Sequence, residues 1–537
     1  MRWLWVGVVL GLQAQPPKLV VGLVVDQMRA DYLRRFHPRR TGGLGRLLRE
    51  GLVYWNCHYP YFPTYTGPGH ASIYTGTTPA YHGIVANDWW DRTRHQLLYC
   101  TQDSTVQPVG THSDKARRSP RLLLATTIAD EIRYACRFAN KSIGIALKDR
   151  SAILPVGHSA TVAVWFDPQE GQWVSSTYYG PQLPTWVERF NARRYPDSLL
   201  RLPWARTHHT ACTDESPYEG TLPSESQPTF PHTPRSYADL LYTPAGLWLT
   251  FALAREAIEA ERLGRGPCTD FLSLSFSTPD LAGHVFGPES CEIEELYAEL
   301  DKELGAFLRY LERRFQRGEV LVFLTADHGA APTPEVVSER GFPGGRYPEA
   351  DLVPRAQTYL RSALGLPPEA SPIAAFANQS FYFSPSFSLV ERARAADLLK
   401  AWLLTQPHVI AAYTAQELAG VGGSAYPFTR VQAGFHPQRS GDVIVVYAPG
   451  WIEGSYRTGT THGSIWTYDT HVPLIWWGGR LPSEGLYEPV RITQIAPTLA
   501  FLVGAPLPSA ATDAPLLRVL ERWPLSADQL LGFDVGP

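Results

Sequence analysis

Thiol chemistry has little to work with in this chain. Its 537 residues include only six cysteines (Cys57, Cys100, Cys136, Cys212, Cys268 and Cys291), none in a C-x-x-C pair, which argues against a cysteine-ligated metal site. The same six suit an oxidising compartment and could join as disulfides, with the pairing open. An excess of charge of either sign is lacking too. The formal net charge is -3, so no basic field points to nucleic acid or an anionic membrane, and any bound anion must be recognised locally. Past the first dozen residues no run stays apolar long enough to span a bilayer. Internal repeats and long low-complexity tracts are absent as well. What is present, 44% hydrophobic and 18% charged residues, is the composition of a globular chain with ample material for a core.

The N-terminus reads as an export signal over residues 1–15. Arg2 supplies a positive start, residues 3–12 form a short apolar run, and Ala14 offers a small residue for cleavage. A buried first strand is the alternative reading of that run. The expectation is a periplasmic or secreted protein whose mature chain, 16–537, has no membrane span.

Residues 18–25 are a near-continuous apolar run ending at Asp26, the pattern of a parallel strand covered on both faces. The pattern repeats at 271–276, leading to Asp280, and at 320–325, leading to Asp327 and His328. In open α/β sheets the ligand site lies beyond the carboxyl ends of the strands, so these runs predict one shared site. Further strands are expected at 142–147, 442–447 and 472–477. Helices are expected at 291–315, where Ile293, Leu296, Leu300, Leu304, Phe307, Leu308 and Leu311 form one stripe, and at 247–263 and 390–404. Insertions are expected near 88–244, rich in Pro, Trp and Tyr, and near 331–435. The first of these reads as a lid or flank, although its rings could equally pack a small core of their own.

Asp26, Asp280, His284, Asp327, His328 and His462 are the candidate metal donors. Zinc takes imidazole and carboxylate where thiolate is not offered, and Mn²⁺, Co²⁺ and Fe²⁺ accept the same set. Asp280 and His284 are four apart, close enough to converge on one ion. Adjacent Asp327 and His328 could serve one ion or two. Singly, each has a plainer reading: a strand-end Asp caps a helix, and a lone His packs a core. Their common position beyond successive buried strands is what points to a site.

The candidate nucleophile is Thr66, in Phe62-Pro-Thr-Tyr-Thr66-Gly-Pro-Gly-His70-Ala-Ser-Ile73. The glycines and Pro68 predict a tight turn, with a helix from 71–74 onward. A hydroxyl there would face the positive end of the helix dipole, where phosphate is also favoured. A helix-capping Thr is the equal alternative. Asn87 reads either as an amide donor or as a turn residue. Lys148 and Arg150 flank Asp149, so on a strand both would project to one face, either as a cationic pair or as an exposed edge.

Taken in order, Val25-Asp26-Gln27-Met28-Arg29, the 62–76 segment, His82-Gly-Ile-Val-Ala-Asn87, Leu147-Lys148-Asp149-Arg150, Ser277-Thr-Pro-Asp280 through His284, Thr325-Ala-Asp327-His328-Gly329 and Thr461-His462-Gly463-Ser464 resemble the alkaline phosphatase superfamily. Within it they are most similar to the phosphate-irrepressible alkaline phosphatases of the PafA type, themselves similar to nucleotide pyrophosphatase/phosphodiesterases. The resemblance implies an α/β three-layer sandwich with a mostly parallel central sheet and inserted lid segments. It implies two zinc ions, one held by Asp280, His284 and His462, the other by Asp26, Asp327, His328 and the Thr66 oxygen. It further implies a phospho-threonine intermediate on Thr66, with Asn87, Lys148 and Arg150 binding the phosphoryl group of a small phosphate monoester. Inorganic phosphate would be product and inhibitor, and no nucleic-acid partner is expected.

Two alternatives stand beside this reading: a phosphodiesterase or nucleotide pyrophosphatase on the same fold, and a non-catalytic zinc- or phosphate-binding protein. A sulfatase is disfavoured, because no Cys/Ser-x-Pro-x-Arg element is present. Asp469, His471, His70 and His82 are assigned to structural roles.

Overall fold

Continuous apolar strands need cover on both faces, and the chain provides it. The computed structural model describes residues 16–36, 41–207, 212, 216–420 and 423–523, so the expected export signal at 1–15 lies outside the described residues. Strands form at Leu19–Val25, Asp270–Phe276 and Val320–Thr325. The first runs between the other two and parallel to both. Ser142–Ala146 and Val162–Asp167 continue the parallel block beyond Asp270–Phe276. Val24 is level with both Thr325 and Ser275, and Ala146 with Ser275, so neighbouring strands end together. Asp26, Asp327 and Lys148 therefore leave the sheet along one edge. On the far side of Val320–Thr325 the eleven-stranded sheet turns antiparallel through His471–Gly478 and Leu52–His58.

Helices cover both sheet faces. Tyr74, on helix Thr66–Thr75, hydrogen-bonds Ser273 and meets Phe271 edge-on, while Phe251, on helix Pro244–Ala260, packs against Phe276. Side chains alternate along a strand, so residues 271 and 273 face one way and 276 the other; the molecule has three layers. Helix Cys291–Arg314 buries its whole predicted stripe.

A second sheet, of Ile373–Ala377, Ser380–Phe383, Val443–Tyr447 and Val409–Thr414, has its own core of Phe381, Phe383, Leu399 and Val445 under helices Glu349–Leu364 and Leu389–Leu403. The strand expected at 442–447 thus pairs outside the central sheet. The 88–244 stretch also differs from a lid. Ser142–Ala146 and Val162–Asp167 are interior strands of the central sheet, and Trp165, Trp173, Trp186 and Trp204 join the main core. Trp165 and Trp173 lie on strands and Trp186 on a helix, and all three turn their rings inward to bury apolar area.

Disulfides join Cys136 to Cys268 and Cys212 to Cys291, leaving Cys57 and Cys100 as buried thiols. Among the described residues no helix is long and apolar enough to cross a membrane.

Candidate active site

Three strand ends and two loops deliver the candidate groups to one place. Asp26 follows Leu19–Val25 directly, and its N–H donates to Phe276 O at 3.2 Å, which stitches it to the neighbouring strand end. Asp280 and His284 lie one turn apart on helix Thr278–Phe286, opened by Pro279 in its first turn. Asp327 and His328 follow Val320–Thr325, and His462 sits on the loop ahead of the short helix Thr467–Thr470. Thr66 is the first residue of its helix, which starts there and not at 71–74 as the turn reading predicts. Gly69 makes the early start possible: an added Cβ would lie 2.2 Å from the Asp327 carbonyl oxygen. That approach presses the helix that Thr66 opens against the Asp327 loop.

The donors converge as two overlapping groups, Asp26 with Asp327 and His328, and Asp280 with His328 and His462. His328 Nε2 lies 3.4 Å from Asp26 Oδ1, 3.5 Å from Asp327 Oδ2 and 3.3 Å from Thr66 Oγ1. His284 Nε2 and His462 Nε2 approach Asp280 Oδ1 at 3.2 Å and 3.4 Å. The rings of His328 and His462 stack at 3.5 Å. His328 therefore stands between the two donor sets, where spacing alone left its partners open.

The chemistry of these donors fits a divalent cation of the zinc class. The Nδ1 atoms of His284, His328 and His462 each meet a backbone carbonyl, of Thr460, Gly329 and Thr64 respectively, at 2.8–2.9 Å. A carbonyl only accepts, so Nδ1 carries the proton and every Nε2 lone pair is turned into the site. Asp26 Oδ1 and Asp327 Oδ2 are buried with no hydrogen-bond partner. Buried carboxylate oxygens without a donor are costly unless a cation meets them.

Electrostatics say the same. Burial, then Asp280 and Asp327, pushes the Asp26 carboxyl well above its usual range, and burial pushes Asp327 up to about 7. Burial also opposes ionisation of Asp280, but His284 and Lys148 outweigh it and hold the carboxyl well below its usual range. Burial drives the His328 pKa far down, which keeps its ring neutral.

Lys148 and Arg150 reach the site differently from the strand reading. The strand ends at Ala146, and Lys148 caps the short helix Asp149–Ile153 on which Arg150 lies. The two side chains consequently diverge. Lys148 Nζ bridges Asp26 Oδ2, at 2.7 Å, and Asp280 Oδ2, so it is held by carboxylates of both donor sets. Arg150 Nη1 donates to Tyr99 OH at 2.8 Å, Tyr99 OH donates to Asp149 Oδ1 at 2.7 Å, and Arg150 Nε is buried without a partner. Asn87 Oδ1 accepts from Gly67 N–H at 2.8 Å, which fixes the amide orientation and leaves its NH₂ group as the available donor.

Residues to which the sequence assigned no role complete the site. Gln27, with φ of 66°, donates from Nε2 to Asp280 Oδ1 at 2.7 Å and from its backbone to Asp327 Oδ1 at 3.2 Å. Tyr456 stacks on His284 at 4.7 Å, and Tyr65 OH donates to Glu453. The one signal for Gln27 was its place beside Asp26. Tyr65 directly precedes Thr66, while Glu453 and Tyr456 come from a segment remote in sequence. His70 Nδ1 meets Thr66 O at 2.9 Å, His82 Nε2 meets Ser72, Asp469 accepts from Ser464 N–H, and His471 stacks on His58.

A sequence profile of the type I phosphodiesterase / nucleotide pyrophosphatase family matches residues 20–472. Alkaline phosphatase PafA of Elizabethkingia meningoseptica is 37% identical over 523 residues, covering 94% of this chain and 95% of that one. Alkaline phosphatase PhoV of Synechococcus elongatus is 37% identical over 519 residues, 94% of this chain and 93% of its own. The crystal structure of wild-type PafA superposes with a TM-score of 0.89 at 36% identity, over 94% of this chain and 99% of that one. The expected alkaline-phosphatase-like α/β fold is thereby established.

Proposed function

We propose that this chain, which belongs to the type I phosphodiesterase / nucleotide pyrophosphatase family and to the PafA-type alkaline phosphatases within it, hydrolyses phosphate monoesters through Thr66. It is a phosphate monoester hydrolase of the alkaline phosphatase class. The observation that carries the threonine reading is the position of Thr66 Oγ1. It opens a helix, 3.3 Å from His328 Nε2, beside two buried acids, Asp26 and Asp327, each with one oxygen lacking a hydrogen-bond partner.

Asp280, His284 and His462 would hold one zinc ion, and Asp26, Asp327, His328 and the Thr66 oxygen the other. Bound there, such ions lower the pKa of a coordinated hydroxyl and offset negative charge on the departing oxygen. The protein's own groups do the rest. The Thr66 hydroxyl gives its proton to solvent and its oxygen attacks phosphorus in line, the phosphorus–oxygen bond to the alcohol breaks, and the alcohol leaves with a proton from solvent. Water then attacks phospho-Thr66, returning the free hydroxyl and releasing inorganic phosphate.

The N-terminal end of helix Thr66–Thr75 favours the phosphoryl charge. The Asn87 amide is oriented to donate, Arg150 offers a planar fork and Lys148 a point charge. These charges suit the dianion of a monoester better than a diester. Product phosphate presents the same oxygens and should compete with substrate. The apolar 3–12 segment and the Cys136–Cys268 and Cys212–Cys291 bonds support export to a periplasmic or extracellular space.

The test is steady-state hydrolysis of an aryl phosphate by the zinc-loaded chain and by Thr66→Ala, with acid-quenched protein searched for a phosphorylated Thr66 peptide. Rapid monoester turnover, lost in Thr66→Ala and on chelation and restored by zinc, is expected. Undiminished turnover by Thr66→Ala would sink the nucleophile assignment. A preference for diesters would move the protein to the phosphodiesterase branch.

A further inference from the structure

The second sheet reaches the site through the turn between Ile373–Ala377 and Ser380–Phe383. Ala377 pairs with Ser380, so the turn consists of Asn378 and Gln379 alone, with φ of 50° and 58°. Two-residue hairpin turns take positive φ at both places, and they favour asparagine followed by glycine. Asn378 suits its position. Gln379 does not, because a side chain in the left-handed region costs energy that glycine avoids. That side chain is nevertheless buried. An unfavourable backbone conformation kept for a buried polar side chain points to a role for the side chain itself.

Both amides donate to segments that carry candidate site residues. Asn378 Nδ2 donates to the Asp88 carbonyl oxygen at 2.8 Å and to Asp88 Oδ1 at 2.9 Å. Asp88 directly follows Asn87, whose own Oδ1 is fixed on Gly67 N–H. Gln379 Nε2 donates to the Gly463 carbonyl oxygen at 3.4 Å, directly after His462. The same amide lies against the Tyr65 hydroxyl and Glu453, directly before Thr66. The Gln379 carbonyl accepts from Val445 N–H at 2.9 Å, which ties the turn to an interior strand of its own sheet. One turn of a separate core thus holds the chain neighbours of Asn87, His462 and Thr66.

Resting on the phosphatase reading above, we propose that Asn378 and Gln379 are positioning residues through which the second sheet sets the active site. Asn378 holds Asp88 and so aims the Asn87 amide at the phosphoryl group. Gln379 holds the Gly463 carbonyl and so aims His462 into its donor set. Neither side chain joins the donors; each acts through the residue beside one.

Glycine keeps the left-handed turn at either position and removes only the amide, so Asn378→Gly and Gln379→Gly separate these roles from the fold of the hairpin. Aryl phosphate kcat/KM is measured for the zinc-loaded unchanged chain, both variants, Asn87→Ala and Asn87→Ala/Asn378→Gly, and zinc release to a chromogenic chelator is followed for the unchanged chain and the two glycine variants. Asn378→Gly should lower kcat/KM roughly three- to thirtyfold, a fraction of what a full bond to a charged group is worth. In the Asn87→Ala background the same change should matter by less than about twofold, because the group it aims is gone. Gln379→Gly should release zinc roughly three- to tenfold faster, less than the loss of a direct partner of a ligand causes, while Asn378→Gly releases it at the unchanged rate. Equal losses from Asn378→Gly with and without Asn87 would overturn the role of Asn378, and zinc release from Gln379→Gly at the unchanged rate would overturn that of Gln379. Absence of aryl phosphate hydrolysis by the unchanged chain would overturn the phosphatase reading and the Asn378 role with it, and zinc release would still decide Gln379.

Discussion

Replacing Arg150 by alanine removes a guanidinium with one N–H engaged, to a neutral phenol, and a second one buried and unpaired. Facing a phosphoryl dianion, Nε and Nη2 can each donate a charge-assisted bond worth about 1.5–3 kcal/mol. Their joint loss costs about 3–6 kcal/mol, which is roughly 10²- to 10⁴-fold in kcat/KM. A methyl or aryl diester carries one negative charge and one fewer non-bridging oxygen, so it can lose about one such bond, roughly ten- to a hundredfold. The monoester-to-diester preference should therefore fall by about ten- to a hundredfold in Arg150→Ala. The surrounding wall should survive, because Tyr99 OH keeps its 2.7 Å bond to Asp149 and Arg118 keeps its own. The assay is parallel kcat/KM on an aryl monoester and the matching methyl diester, with a thermal melt as the control for folding. Equal losses on both esters with an unchanged melting temperature would refute the role given to Arg150. It would then be meeting a group common to both esters and not the second charge of the monoester.

Gly69→Ala places a Cβ 2.2 Å from the Asp327 carbonyl oxygen and 2.8 Å from its Cβ, both tied to backbone. It should lower stability by about 1–3 kcal/mol and depress kcat by moving Thr66 off His328; an unaltered melt and rate would mean the helix does not press there. Glu349 has a carboxyl that burial, and then Glu453, pushes up to about 8. The unfolded chain releases that proton near the ordinary carboxylate value of about 4.3, so folded stability falls as pH rises from there to about 8. Glu349→Gln should flatten the decline of the melting temperature across that window, and a variant as pH-dependent as the unchanged chain would exclude the effect.

The strand-and-acid pattern was legible because interior parallel strands are apolar on both faces and so read as unbroken runs; 19–25, 270–276 and 320–325 fold where those runs lie. The alternation of Lys148, Asp149 and Arg150 misled for a local reason. Beyond Ala146 the chain turns into a helix, where neighbours point apart and no longer alternate across a sheet. The aromatic richness of 88–244 misled for a global one. Composition does not tell whether a Trp covers a lid or fills a core, and here Trp165 and Trp173 belong to the main core.

The identity of the donors, carboxylate and imidazole beyond successive strand ends with a hydroxyl at a glycine-rich helix start, was determined by the sequence alone, since residue type sets donor chemistry and apolar periodicity sets strand and helix. Tertiary structure alone decided how the donors are shared. His328 stands between Asp26 and His462, Lys148 bridges Asp26 to Asp280, and Gln27 reaches both Asp280 and Asp327. Such partnerships join positions more than a hundred residues apart. Their distances follow from the level ends of parallel strands and the close approach of Gly69 to Asp327, which no local spacing encodes.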